Sequence, residues 1–164
     1  MACCPKSVIA EILKAKGTIK SVYFVACGGS YAGLHPGKYF LESESKELKV
    51  DHYSSNEFCH ATPKSLGEHS IVITQSSSGN TPETVKAAEI AQKAGAASIV
   101  ITNKPESPLA QNGDYVLVPE KGSTANSGQG YSLQLAVEIL NQTEGYENYD
   151  EMYNGFDRID KIVG

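Results

Sequence analysis

The chain has 164 residues, 40% of them apolar, with 15 glycines, no tryptophan, and 14 basic against 19 acidic side chains for a formal charge of −5. That length predicts one domain over residues 1–164 and is enough for a two- or three-layer core, because folding at this size removes roughly 70% of the unfolded surface from water without disulfide staples. The acidic balance gives no field to attract phosphate backbones and no apolar run is long enough for a bilayer, which excludes nucleic acid and membrane as partners.

The first residues, Met1, Ala2, Cys3 and Cys4, form no apolar signal core and lack the glycine that myristoylation requires, so the expected location is the cytoplasm. Residues 7–16 then carry Val8, Ile9, Ile12 and Leu13 at helical spacing, with Gly17 as the stop. Residues 21–27 are an unbroken apolar, β-branched and aromatic run, the pattern of a strand buried on both faces of a parallel sheet. Gly28, Gly29 and Ser30 interrupt it. A helix is expected from Tyr31 to about Ser45, with Pro36 confined to its early turns, where proline is tolerated. Residues 48–53 alternate as a weaker strand, and residues 54–57 begin a loop or a short helix.

Residues 70–75 read as the third strand. After the octet 76–83, Pro82 and Glu83 start a helix whose Val85, Ala88, Ala91 and Ala94 give a small-residue face, and Gly95 ends it. Residues 97–102 and 114–119 are two further strands, with room for about one helical turn between 105 and 113. Residues 133–140 belong to a helix, and 149–163 to a last amphipathic one. This alternation predicts an α/β chain: a three-layer α/β/α sandwich on a five-stranded parallel sheet, with its core in 17–145 and the terminal helix in 146–164. Ligands of such sheets bind beyond the carboxyl ends of the strands, which directs attention to the loops after the first and third strands.

The octet 76–83 sets Ser76, Ser77, Ser78 and Thr81 around Gly79, directly before a helix start. Two readings fit. One is an anion seat of hydroxyls and a helix-dipole end, with a phosphate monoester as guest; the other is a serine-rich turn that caps a helix. Gly28 and Gly29 allow backbone to approach a ligand, and Ser30 adds a hydroxyl to the same site if the first and third strands are neighbours. The four cysteines give no disulfide framework and no zinc site, since Cys3 and Cys4 are adjacent, Cys27 and Cys59 stand singly and no CxxC pair exists. No metal and no cofactor are expected.

Four blocks in this order and spacing resemble the sugar isomerase (SIS) domain family over about residues 22–140. They are Cys27, Gly28, Gly29 and Ser30; Ser55, Asn56, Glu57 and Phe58; the octet 76–83; and Ser107, Pro108, Leu109 and Ala110. Within the family the chain is similar to the first half of the fructosamine (ketosamine) 6-phosphate deglycases, relatives of the isomerase half of glucosamine 6-phosphate synthase. The resemblance implies a flavodoxin-like SIS fold and a sugar phosphate ligand, with Ser30, Ser76, Ser77, Ser78 and Thr81 at the phosphate and the backbone of Gly28, Gly29 and Gly79 close to it. Those deglycases carry two SIS domains and draw their catalytic Glu and His largely from the second. The resemblance therefore also implies that 146–164 leads toward a second unit, and that a second domain or subunit completes the site. The stretch 122–130 lacks the lysine often present in relatives, so no contact is carried over to it.

A reaction on such a ligand needs a carboxylate or imidazole to move a proton between C1 and C2. Glu57 is one candidate, with the alternative that it merely complements a helix dipole in a first turn; His60 pairs with it if that segment is helical. His35, His52 and His69 read as surface or packing residues. Three functions stay open: a phosphosugar isomerase or deglycase, a non-catalytic phosphosugar-binding regulatory module, and a flavodoxin-like FMN carrier. The third is disfavoured because flavin loops follow the first strand and no Trp is present to stack on the ring. A dinucleotide site is disfavoured by Ser30 where GxGxxG needs its middle glycine. A homodimer or higher homo-oligomer is expected, in contact through the apolar faces of the first and last helices.

Overall fold

The apolar run after Gly17 becomes β1 (Ser21–Ala26), buried along its whole length because both faces of the strand are covered. Alternation decides where each side chain goes: Val22, Phe24 and Ala26 join one core, Tyr23 and Val25 the other. In β3 (Ser70–Gln75) and β4 (Ala97–Ile101) the same rule sends Ile71, Ile73, Ile99 and Ile101 to the first face, and Val72 and Val100 to the second. With β2 (Lys49–Ser54) and β5 (Tyr115–Leu117) they form a five-stranded parallel sheet in the order β2-β1-β3-β4-β5. The computed structural model describes residues 4–163, so the expectations on Met1, Ala2 and Cys3 lie outside the described residues; Cys4, Cys27 and Cys59 are free thiols.

On the first face lie α1 (Pro5–Lys16), α2 (Gly28–Glu44) and α6 (Gly128–Thr143); on the second lie α3 (Ser55–His60), α4 (Pro82–Lys93) and α5 (Pro108–Gln111). The last helix, α7 (Tyr149–Val163), packs on α6 outside the sandwich. The expected three-layer α/β/α architecture is thus present. Among the described residues no helix is long and apolar enough to cross a membrane.

Two helices begin earlier than their sequence suggests. α2 opens at Gly28, which leaves Pro36 in mid-helix instead of the early turns. Proline has no N–H to give the Ala32 carbonyl, and a hydroxyl from α6 serves the neighbouring turn. Ser132 Oγ accepts from the Gly37 N–H at 3.2 Å and donates to the Leu34 carbonyl at 3.0 Å. A Cβ on Gly37 would collide with the Ser132 carbonyl, so only glycine permits this close crossing of α2 and α6. α6 opens at Gly128, where glycines hide a helix because they form one poorly. Ser127 offsets that by capping, its Oγ accepting from the Gly130 N–H at 3.0 Å. The apolar face of α1 is not the free contact surface expected of it: Val8, Ile9 and Ile12 are buried against α6 and the sheet.

Candidate functional site

Parallel strands end on one edge, and there Ala26 of β1 lies opposite Gln75 of β3. The first and third strands are therefore neighbours, and the loops after them leave the sheet side by side. Gly28, at φ 55°, turns the chain straight into α2 and sets Ser30 in its first turn.

The 76–81 loop divides its polar groups between two tasks. Ser76 is buried; its Oγ accepts from the Gly79 N–H at 3.2 Å, and its hydroxyl pairs with that of Thr81 at 3.0 Å. Gly79 sits at φ 69°, and a Cβ there would collide with the Ser107 side chain; its carbonyl accepts from the Leu109 N–H at 3.0 Å. The block around Ser107 thus acts as a brace for the loop. The Ser77 carbonyl accepts from the Asn103 N–H at 3.2 Å, which ties the backbone to the end of β4. Against this fixed backbone the Ser77 and Ser78 side chains stay exposed. Ser78 Oγ accepts from the Asn80 N–H at 3.2 Å, and the Ser77 hydroxyl has no partner among the described residues. Thr81 holds the N-cap position of α4 without capping it through its side chain; Pro82 has no N–H and the Thr84 and Val85 amides donate to the Thr81 carbonyl, so among the described residues it is the Glu83 amide and the helix-dipole end that are left for an outside acceptor.

A second brace joins the helix starts. The Ser55 and Thr84 hydroxyls pair at 2.8 Å, and Thr84 Oγ1 donates to Cys27 Sγ at 3.9 Å, linking α3, α4 and the end of β1. Glu57 lies exposed in the first turn of α3, its N–H donating to Ser54 Oγ at 3.2 Å, and His60 lies exposed in the last turn. The segment is helical, as their pairing required, but among the described residues no hydrogen bond joins the two side chains.

Beyond the ends of β3, β4 and β5 is a cavity of about 160 Å³, lined among others by Ser77, Gln75, Thr102, Asn103, Glu120 and Ser127. Sequence reasoning missed Gln75, Asn103 and Glu120 because each reaches the cavity through strand order. Gln75 wedges its amide between α2 and α6, where a Cβ on Gly128 would strike it; its oxygen is buried without a partner among the described residues. Gly33 and Gly128, which leave room for that amide, were the available signal.

His52 behaves as a packing residue. Its ring stacks on Tyr31 with centroids 3.8 Å apart, and burial, followed by the charges of His35 and Lys38, lowers its pKa to about 4. Burial raises the Cys59 thiol, which removes it as a ready nucleophile. Among the described residues no group of three or more His, Cys, Asp or Glu could hold a metal ion.

The family model of the SIS domain matches residues 18–141. The chain belongs to the SIS domain family. This SIS domain is 45% identical over 153 residues to fructosamine deglycase FrlB of Bacillus subtilis, a match that covers 92% of this chain and 46% of that protein. It is 31% identical over 109 residues to fructoselysine 6-phosphate deglycase of Escherichia coli, covering 66% and 31%. A crystal structure of a candidate phosphosugar isomerase from Salmonella typhimurium superposes with a TM-score of 0.92 at 46% identity, covering 97% of this chain and 49% of that one. The SIS domain therefore spans about half the length of FrlB and of the Salmonella protein. Family and fold are those to which the four sequence blocks pointed.

Proposed function

We propose that this SIS domain is the phosphate-gripping unit of a deglycase or isomerase that acts on a 6-phosphofructosyl amino acid or a related ketose or aldose 6-phosphate. The observation that carries the reading is the 76–81 loop, in which Ser76 and Gly79 fix the backbone while Ser77 and Ser78 offer hydroxyls beside the start of α4. Thr81 and, from the adjoining loop, Ser30 complete the seat, and Gly28, Gly29 and Gly79 admit the ligand to the backbone. Hydroxyls and a helix end stabilise a dianion without lysine or arginine, which suits a site that must release a phosphorylated product. The names of the deglycase relatives support a ketose bearing an amine.

The reaction moves a proton between C1 and C2, with the phosphate as a remote handle that fixes geometry. Glu57 and His60 on α3 are the candidate base and acid of this chain. A second domain or a second copy completes the site, and the exposed apolar residues of α7, Tyr153, Ile159 and Ile162, are where a second copy docks.

Calorimetric titration with fructose 6-phosphate tests the seat. Replacing Ser78 and Thr81 together by alanine removes two charge-assisted bonds of about 1.5 kcal/mol each, a loss of about a hundredfold in affinity. Unchanged heats and affinity would end the reading. Turnover of fructosyl-lysine 6-phosphate tests the chemistry: Glu57→Gln is expected to abolish it and leave binding intact. Binding without turnover in an assembly that holds both units would favour the regulatory module instead.

A further inference from the structure

The segment between β5 and α6 closes on itself. The Glu120 N–H donates to the Asn126 carbonyl at 2.9 Å, the Ser123 N–H to the Glu120 carbonyl at 3.2 Å, and the Asn126 N–H to Ser123 Oγ at 2.9 Å. This loop is part of the cavity wall and brings Glu120 and Ser127 to the same hollow as Ser77 and Asn103. An acceptor for two more of its amides comes from α7: Asp160 takes the Thr124 N–H at 2.6 Å, the Ala125 N–H at 3.1 Å and the Ser123 hydroxyl. Ser123 thereby relays the grip, accepting from Asn126 and donating to Asp160. On the far side Gln134 Nε2 donates to the Ala125 carbonyl at 2.6 Å and to Asn126 Oδ1 at 3.1 Å.

The Ser123 hydroxyl, then the Ala125 and Thr124 amides, hold the Asp160 carboxyl below its ordinary range, so it stays an acceptor. Glu120, in contrast, is exposed at the cavity. A carboxylate repels a phosphate dianion and accepts from O–H and N–H donors, so its chemistry fits the sugar or amine portion of a ligand and not the phosphate.

We infer that Asp160 is a positioning residue: by latching the 120–127 loop it sets Glu120 in place to accept from the hydroxyl or amine donors of the ligand beyond its phosphate. The inference rests on the phosphosugar reading above. A loop ordered before binding does not charge its ordering entropy to the affinity.

Calorimetry with glucose 6-phosphate and with inorganic phosphate, on the wild type, Asp160→Ala, Asp160→Asn, Glu120→Gln and the Asp160→Ala, Glu120→Gln double variant, tests it. Asp160→Ala and Glu120→Gln are each expected to weaken the sugar phosphate by about tenfold and to leave inorganic phosphate unchanged. The double variant is expected to lose no more than either single one, because Asp160 acts through Glu120. Asp160→Asn, which keeps one acceptor oxygen for the two amides, falls between wild type and Asp160→Ala. Sugar phosphate affinity that survives Asp160→Ala, losses that multiply in the double variant, or an equal loss for both ligands would each overturn the latch. A wild type that binds neither ligand would overturn the phosphosugar reading first, and the latch with it.

Discussion

Gly37 and Ser132 lie 95 residues apart, and their meeting fixes how α2 crosses α6. Because a Cβ on Gly37 would strike backbone and not a flexible side chain, Gly37→Ala is expected to cost about 2–3 kcal/mol, read as a lower urea midpoint with unchanged slope. An unaltered midpoint would mean the helices do not approach there. His52 carries a pH effect whose sign follows from its lowered pKa. Between about pH 6.5 and the folded value of about 4 the unfolded chain holds a proton that the folded ring refuses, so the stability is complete above pH 6.5 and is lost as pH falls. After solvent screening the loss is about 1–2 kcal/mol, and His52→Gln should flatten that part of the stability curve; an equal slope in the variant would assign the effect elsewhere. These residues mark the limit of legibility. The hydroxyl octet could be found in sequence because its chemistry is local. The roles of Gly37, Gln75 and Glu120 could not, since each is defined by a partner that only the fold brings near.

At the scale of elements, strands were legible because burial on both faces selects runs dominated by apolar residues, broken in β1 and β4 by Ser21 and Ser98 alone. The starts of α2 and α6 were not, because glycines open both: Gly28 for its positive φ, Gly128 and Gly130 for the close approach of Gln75 and of the Ala125 carbonyl, each at the expense of helix propensity. α7 shows a third case: its amphipathic period was plain, yet what anchors it is polar. Tyr149, its first residue, donates its hydroxyl to the buried Glu138 carboxylate at 2.7 and 3.0 Å, and Gln142 Nε2 adds a bond at 3.1 Å. Burial first, then that carboxylate, hold the Tyr149 phenol protonated well above its usual range. Tyr149→Phe removes the donor and leaves a buried charge with one neutral partner, at a cost of about 1.5–3 kcal/mol. Hydrogen exchange checks the outcome: α7 amides are expected to exchange faster while those of β1 and β3 keep their protection. Unaltered exchange in α7 would show that its anchor lies elsewhere.

For the whole molecule, the proposed contact with a second copy and the Asp160 latch both fall on α7. This helix leaves Ile159 and Ile162 exposed, and Ile159 borders a hollow of about 530 Å³ that Leu133, Tyr146, Met152 and Phe156 line together with Asn148, Glu151 and Arg158. Exposed apolar side chains beside a partly apolar hollow suit a contact surface, and a second copy is the occupant proposed above. Light scattering at micromolar concentration is therefore expected to give twice the 17.5 kDa of one chain, and Ile159→Lys with Ile162→Lys to return it to 17.5 kDa. A wild type at the single mass would remove the dimer. The same helix carries Asp160, so a second copy that covered α7 would also steady the latch on the 120–127 loop. If both hold, glucose 6-phosphate binds more weakly as the protein is diluted below its dimerisation constant, whereas inorganic phosphate, which the proposed seat holds through the 76–81 loop and Ser30 of one chain, binds equally at every concentration. Sugar phosphate affinity that ignores dilution across that range would separate the two and leave the latch independent of assembly.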